Sequence, residues 1–291
     1  MSSRQVVRSG QGAAGPFALE ITPTTAGWTF SGLRVLALEA GQGEELDTDD
    51  SEVVVISLGG SADVLVDGQA FTLGGRASVF DGPSDAVYAP RDARLEVIST
   101  DGGRFALCSA RCENRLEPAY LPHADVPVEM RGAGQASRQV NNFGIPGVLA
   151  ADRLIACEVL TPGGNWSSYP PHKHDEERDG ETALEEIYYF EVADGPGGPG
   201  IGFQRVYGHP DADIDIAAEV RTGDAVLIPH GWHGPSMAAP GYDLYYLNVM
   251  AGPGAERAWL ICDDPAHAWI RDTWADQPLD PRLPFGQGAA S

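Results

Sequence analysis

Turn signals recur about every 8–12 residues along most of this chain, a spacing that favours short strands over helices. Glycine (36) and proline (22) are scattered as punctuation rather than gathered into a linker. Between them lie apolar runs rich in β-formers, at 33–38, 53–58, 62–66, 77–80, 86–89, 95–99 and 105–109. Asp67-Gly68, set between two such runs, predicts a hairpin across 64–73. The expectation is an all-β chain of antiparallel sandwiches or barrels.

A second series of strands, at 154–160, 186–192, 202–207, 224–228 and 244–250, repeats the order of the first. In each half an apolar strand precedes a hairpin, then a glycine, a short strand and a proline. The segments beginning at Gly75 and Gly223 occupy corresponding places. This predicts an N-terminal unit over 16–122, a C-terminal unit over 123–275 and a tail over 276–291. Residues 110–150, with Pro118, Pro122, Pro127 and Pro146, read as a connector on the surface. The Gly/Pro stretch 194–200 reads as a flexible hairpin loop. Trp259, Trp269 and Trp274 are expected to pin the last forty residues onto the body or onto a partner subunit.

The formal charge is −23, from 19 basic and 42 acidic residues. That balance argues against nucleic acid and anionic membranes, both of which select basic surfaces. No stretch of 18 apolar residues occurs, and residues 1–15 lack the apolar core of a signal peptide. Four cysteines (Cys108, Cys112, Cys157, Cys262) without a C-x-x-C pair read as reduced thiols. A cytoplasmic protein, assembling as a homo-oligomer, is expected.

The chemistry concentrates in two segments. Pro171-His172-Lys173-His174 places two imidazoles at i and i+2, hence on one face of a strand. Gly223 to His233 supplies a turn, a short apolar strand, the turn Pro229-x-Gly231 and a third imidazole at His233. An acidic partner comes from Glu185 or Glu186, which head the strand beginning at Ile187. Three imidazoles and a carboxylate suit one divalent transition ion, Zn, Mn, Fe, Co or Ni. The chain has no histidine before His123, so only the second half can build such a site. Lys173 alternates with the two ligands and is expected to face outward. His230, across a tight turn, is expected to point away from the metal.

These two segments resemble the motifs of the cupin superfamily. The cupin pattern places its glutamate directly before the apolar strand residue, which here selects Glu186 as fourth ligand beside His172, His174 and His233. Cupins place three or four residues between the histidine pair and that glutamate, whereas residues 175–185 make eleven here. The added residues read as a solvated insertion over the metal mouth, or else as a lid.

A closer resemblance lies in Trp166-Ser167-Ser168-Tyr169-Pro170-Pro171-His172-Lys173-His174-Asp175, in Leu184-Glu185-Glu186-Ile187-Tyr188-Tyr189, and in Phe203-Gln204-Arg205-Val206-Tyr207. The segments from Pro240 to Gly252 and from Gly75 to Gly82 agree with it. Together they resemble the bacterial 5-deoxyglucuronate isomerases of myo-inositol catabolism. The resemblance covers roughly residues 16–275. It implies a bicupin of two jelly-roll barrels in tandem and conversion of 5-deoxy-D-glucuronate to 5-dehydro-2-deoxy-D-gluconate. The related 4-deoxy-hexuronate isomerases share the metal pattern. A cupin dioxygenase and a non-catalytic sugar-binding cupin are the alternatives from other classes.

Aldose–ketose isomerisation moves a proton between C2 and C1, which needs stabilisation of an oxyanion and a base. Glu185 and His230 are candidates for that base, and Tyr188 and Tyr246 for contact with the sugar. Arg205 is the expected partner of the substrate carboxylate, since a guanidinium binds it bidentately. Period-2 alternation puts Phe203, Arg205 and Tyr207 on one face, taken here to line the barrel.

Overall fold

The computed structural model describes residues 4–286, whose strands form three antiparallel sheets, none of them closed. The first, of nine strands, gathers the strands from Phe17–Ile21 to Ala119–Leu121. Its long strand Ser51–Val66 pairs with Ala86–Ala89 and Gly103–Arg111 along one stretch and with Gln69–Arg76 and Arg94–Ser99 further on. The sheet thereby folds over a core that includes Val64, Leu73, Leu95, Val97 and Phe105. The Asp67-Gly68 hairpin is present, with Val66 opposite Gln69 and positive φ at both turn residues (49° and 83°).

A seven-stranded and a six-stranded sheet share the second half. The seven-stranded sheet runs Val6–Val7, Ala225–Ile228, Glu185–Val192, Leu244–Ala251, Ile155–Thr161, Arg138–Gly144, Val128–Arg131. The six-stranded sheet carries Ala212–Val220, Gly202–His209, Trp232–Ala238, His172–Lys173 and Cys262–Asp263, with Trp166–Ser167 beside Trp232–Ala238. Three features depart from the expected organisation. The N-terminal strand Val6–Val7 joins the sheet of the far half, where Val6 lies opposite Val226. The supposed connector over 110–150 contains Arg138–Gly144, a fully buried strand. The Gly/Pro loop 194–200 carries the chain from one sheet to the other rather than closing a hairpin.

Strand alternation makes the seven-stranded sheet the wall between two cores. From Glu185–Val192, Ile187 and Tyr189 pack toward the first half against residues such as Leu33, Val54 and Ile56. Tyr188 and Phe190 point the other way, into the space between the two sheets of the second half. Leu244–Ala251 divides likewise, with Tyr245, Leu247 and Val249 on one face and Tyr246 and Met250 on the other. This phase separates Glu185 from Glu186.

Paired glutamates join the halves. Glu52 of the first half accepts the backbone N–H groups of Asp152, Arg153 and Leu154, each at 2.7 Å. Glu185 of the second half accepts those of Thr29, Phe30 and Ser31 at 2.7–2.9 Å. In both cases three successive donors meet one carboxylate where a long strand of the other half, Ser31–Leu38 or Ile155–Thr161, begins or is about to begin. Between these clamps, Glu158 is buried against Arg76, the Tyr245 hydroxyl and the Asn141 amide.

Candidate metal centre and its cavity

His172 lies opposite His233 in adjoining strands of the six-stranded sheet. Glu186 reaches them from the facing seven-stranded sheet. The ligand atoms of His174, Glu186 and His233 all lie within 4.8 Å of one another, and all three residues are buried. Glu186 Oε2 is 3.1 Å from His174 Nε2 and 3.1 Å from His233 Nε2. The second contact is not aligned as a hydrogen bond, so His233 Nε2 is buried without a partner. His172 stands beside this trio, its ring edge-on to His233 with centroids 4.5 Å apart. Gly234 makes the approach possible: its φ is +100°, and a Cβ there would fall 1.8 Å from the Ser168 carbonyl oxygen.

Burial pushes the pKa of His172 and of His233 well below the usual imidazole value, and a neighbouring imidazole adds to it in each case. At His174 burial acts the same way, but the hydrogen bond and charge of Glu186 outweigh it and raise the pKa. Neutral imidazoles beside a carboxylate, with one nitrogen left unpaired in the interior, are the donor set of a first-row divalent ion. The residues therefore fit the metal that the motifs imply.

A cavity of about 180 Å³ opens beside the cluster, lined by His172, Glu186, Ser168, Tyr188, Tyr246 and Asn248, among others. The Ser168 hydroxyl is 2.9 Å from that of Tyr188 and 3.1 Å from that of Tyr246. Burial raises the pKa of both phenols, with the charge of Glu186 adding to the effect at Tyr188. Both remain protonated at neutral pH and offer hydrogen bonds.

The match to known proteins extends over the whole of this architecture. A family model for the KduI/IolB family matches residues 5–270. The chain belongs to that family. A 5-deoxy-glucuronate isomerase of Geobacillus thermodenitrificans is 40% identical over 260 residues, spanning 88% of this chain and 91% of that protein. The crystal structure of an IolB-like protein from Salmonella typhimurium LT2 superposes with a TM-score of 0.84 at 35% identity, covering 91% of this chain and 98% of that one. Oxalate decarboxylase from Lactobacillus farciminis shares the fold alone, with a TM-score of 0.64 at 12% identity over 90% of this chain and 89% of that one. The fold is cupin-like.

In this family member the residues singled out from sequence separate into two groups. His172, His174, Glu186, His233, Tyr188 and Tyr246 converge. Glu185, His230 and Arg205 do not reach the cavity. The Glu185 carboxylate is taken up by the three N–H groups of residues 29–31, on the opposite face of its strand. His230 is partly exposed, with Nε2 3.3 Å from the Asp213 carbonyl oxygen. Arg205 lies on the outer face of Gly202–His209, where Gly202, Gln204 and Val206 are the buried positions. Its guanidinium is engaged by Asp215 and the carbonyls of Val206 and Ile216. Arg205→Leu is accordingly expected to leave KM and kcat within about twofold of the parent, as surface substitutions do; a tenfold rise in KM in steady-state assays would contradict this placement.

Lys173 also departs from expectation. It is buried, bonded to Asp175 at 2.6 Å and Glu181 at 2.8 Å. Asp175 in turn accepts from the Gly231 N–H and contacts His209, and Glu181 holds Arg178. The inserted segment thus anchors its ends on a buried lysine while residues 177–180 stay exposed to solvent.

Sequence reasoning missed the cations of the cavity. Arg131, Arg138 and Arg271 all line it. Arg138 and Arg131 lie in the segment read as a connector, and Arg271 near the end of the C-terminal unit. Their one sequence signal is scarcity, since 19 basic residues serve the whole chain.

Proposed function

We propose that this protein is a metal-dependent isomerase converting 5-deoxy-D-glucuronate to 5-dehydro-2-deoxy-D-gluconate. It is built as a bicupin with units over 16–122 and 123–275. One divalent transition ion would be held by His174, Glu186 and His233, with His172 completing the set. The observation that carries this reading is a buried three-donor cluster opening on a cavity lined by cations and hydroxyls. Relatives at 37–40% identity that carry the name 5-deoxy-glucuronate isomerase support it.

An ion so held would polarise the oxygens on C1 and C2 and stabilise the charge that develops between them. The chain's own groups position the sugar for that step. Tyr188 and Tyr246, protonated and cross-linked through Ser168, donate to sugar oxygens and orient them. Outside the cavity, Trp166, Met237 and Phe203 lie side by side on the outer face of the six-stranded sheet, an apolar patch suited to a homo-oligomer.

The test is an anaerobic assay with 5-deoxy-D-glucuronate on protein of measured metal content. Turnover to the ketose without O₂ is expected. Activity that requires O₂, or equal turnover after complete metal removal, would overturn the reading.

A further inference from the structure

The cavity beside the cluster gathers three arginines although the protein as a whole is acidic. Two of its three arginines are neutralised. Arg131 is bound bidentately by Glu129 at 2.9 and 2.7 Å. Arg271 is held through Nε and Nη2 by the two carboxylate oxygens of Asp263. Arg138 has no carboxylate partner among the described residues. It is 5% exposed and lies against the Trp274 ring at 5.3 Å. Only its Nη1 is engaged, donating to the carbonyls of Ala136 at 3.0 Å and Tyr169 at 3.3 Å.

An unpaired guanidinium in the interior beside two like charges is unfavourable by itself. Burial lowers its pKa to about 10, which still leaves it charged at neutral pH. Two further donors share its surroundings. Asn248 Nδ2 and Trp259 Nε1 are buried without acceptors, and both residues line the same cavity. A cavity with a guanidinium that no carboxylate meets and two N–H donors without protein acceptors is complementary to an anion with several acceptor oxygens.

We propose that Arg138 binds the substrate carboxylate, with Asn248 and Trp259 donating to its neighbouring oxygens. This rests on the sugar-acid isomerase reading of the same cavity and names the residue that reads the acid. The position suits a six-carbon substrate. Arg138 lines the same cavity as His172 and Glu186, so a sugar acid whose oxygens meet the cluster can present its carboxylate to Arg138. A guanidinium without a protein carboxylate discriminates an acid from the corresponding neutral sugar by charge as well as by shape.

Arg138→Met and Arg138→Lys decide it in the metal-loaded protein. Two readouts are needed: steady-state kinetics on 5-deoxy-D-glucuronate and calorimetric titration with D-gluconate, a stable six-carbon acid. Arg138→Met is expected to raise KM and the gluconate Kd together, by roughly thirty- to a thousand-fold, with kcat changed far less and metal content retained. Arg138→Lys should recover part of the binding, because it keeps the charge but loses the fork. Unchanged gluconate binding in Arg138→Met, a fall in kcat with KM held, or a wild type that does not bind gluconate would each overturn the proposal. If the wild type fails to isomerise the sugar, the functional reading falls alone, and the gluconate comparison still decides the role of Arg138.

Discussion

Replacing His233 with alanine is expected to strip the bound metal and to lower kcat/KM by on the order of 10³-fold or more. The imidazole faces Glu186 Oε2 at 3.1 Å without a hydrogen bond, so the contact makes sense as two ligands converging on a common ion. His174→Ala should behave alike. His172→Ala should lose metal as well if its ring, edge-on to His233, completes the ligand set. Elemental analysis reads these variants directly, and full occupancy in His233→Ala would dismiss the assignment. One ion per chain is expected, since the first half contains no histidine.

Loss of either inter-half clamp should cost more stability than loss of any surface ion pair. Glu52 is fully buried and accepts three backbone N–H groups and the Tyr88 hydroxyl. Glu52→Ala leaves those donors without partners, at a cost of about 3–5 kcal/mol and a fall in Tm of roughly 10 °C. Glu185→Ala should cost somewhat less, about 2–4 kcal/mol, because its strand end is more exposed. Metal content at 25 °C should stay normal in Glu52→Ala, whose carboxylate does not touch the cavity. A melting temperature of Glu52→Ala within 2 °C of the parent would mean that this clamp does not hold the halves together.

The two clamps also explain why adjacent glutamates, alike to any composition argument, do opposite work. On Glu185–Val192 the side chains alternate, so Glu185 shares its face with Ile187 and Tyr189 and turns to the other half. Glu186 shares its face with Tyr188 and turns to the histidines. Locking Glu185 to residues 29–31 holds the register of the strand that presents Glu186.

What the sequence determined by itself rests on local spacing. Turn chemistry at Asp67-Gly68 set a hairpin, and the i, i+2 histidines together with His233 marked the centre. The lack of early histidines confined that centre to the second half. Alternation also told which residues share a face, but not which face is covered, and there only the tertiary structure decided. Arg205 shares a face with two aromatics, yet that face is the outer one, because Gln204 and Val206 are the side chains under the opposing sheet. Lys173 is buried because Asp175 and Glu181, brought round by the insertion, neutralise it in place. Arg138 carries no periodic signal at all: it heads a strand whose burial comes from neighbours distant in sequence, and it meets Arg131 and Arg271 in one cavity only when the sheet and the C-terminal region close over it. Charges far apart in the chain become a site only through that closure, and nothing in their local sequence records it.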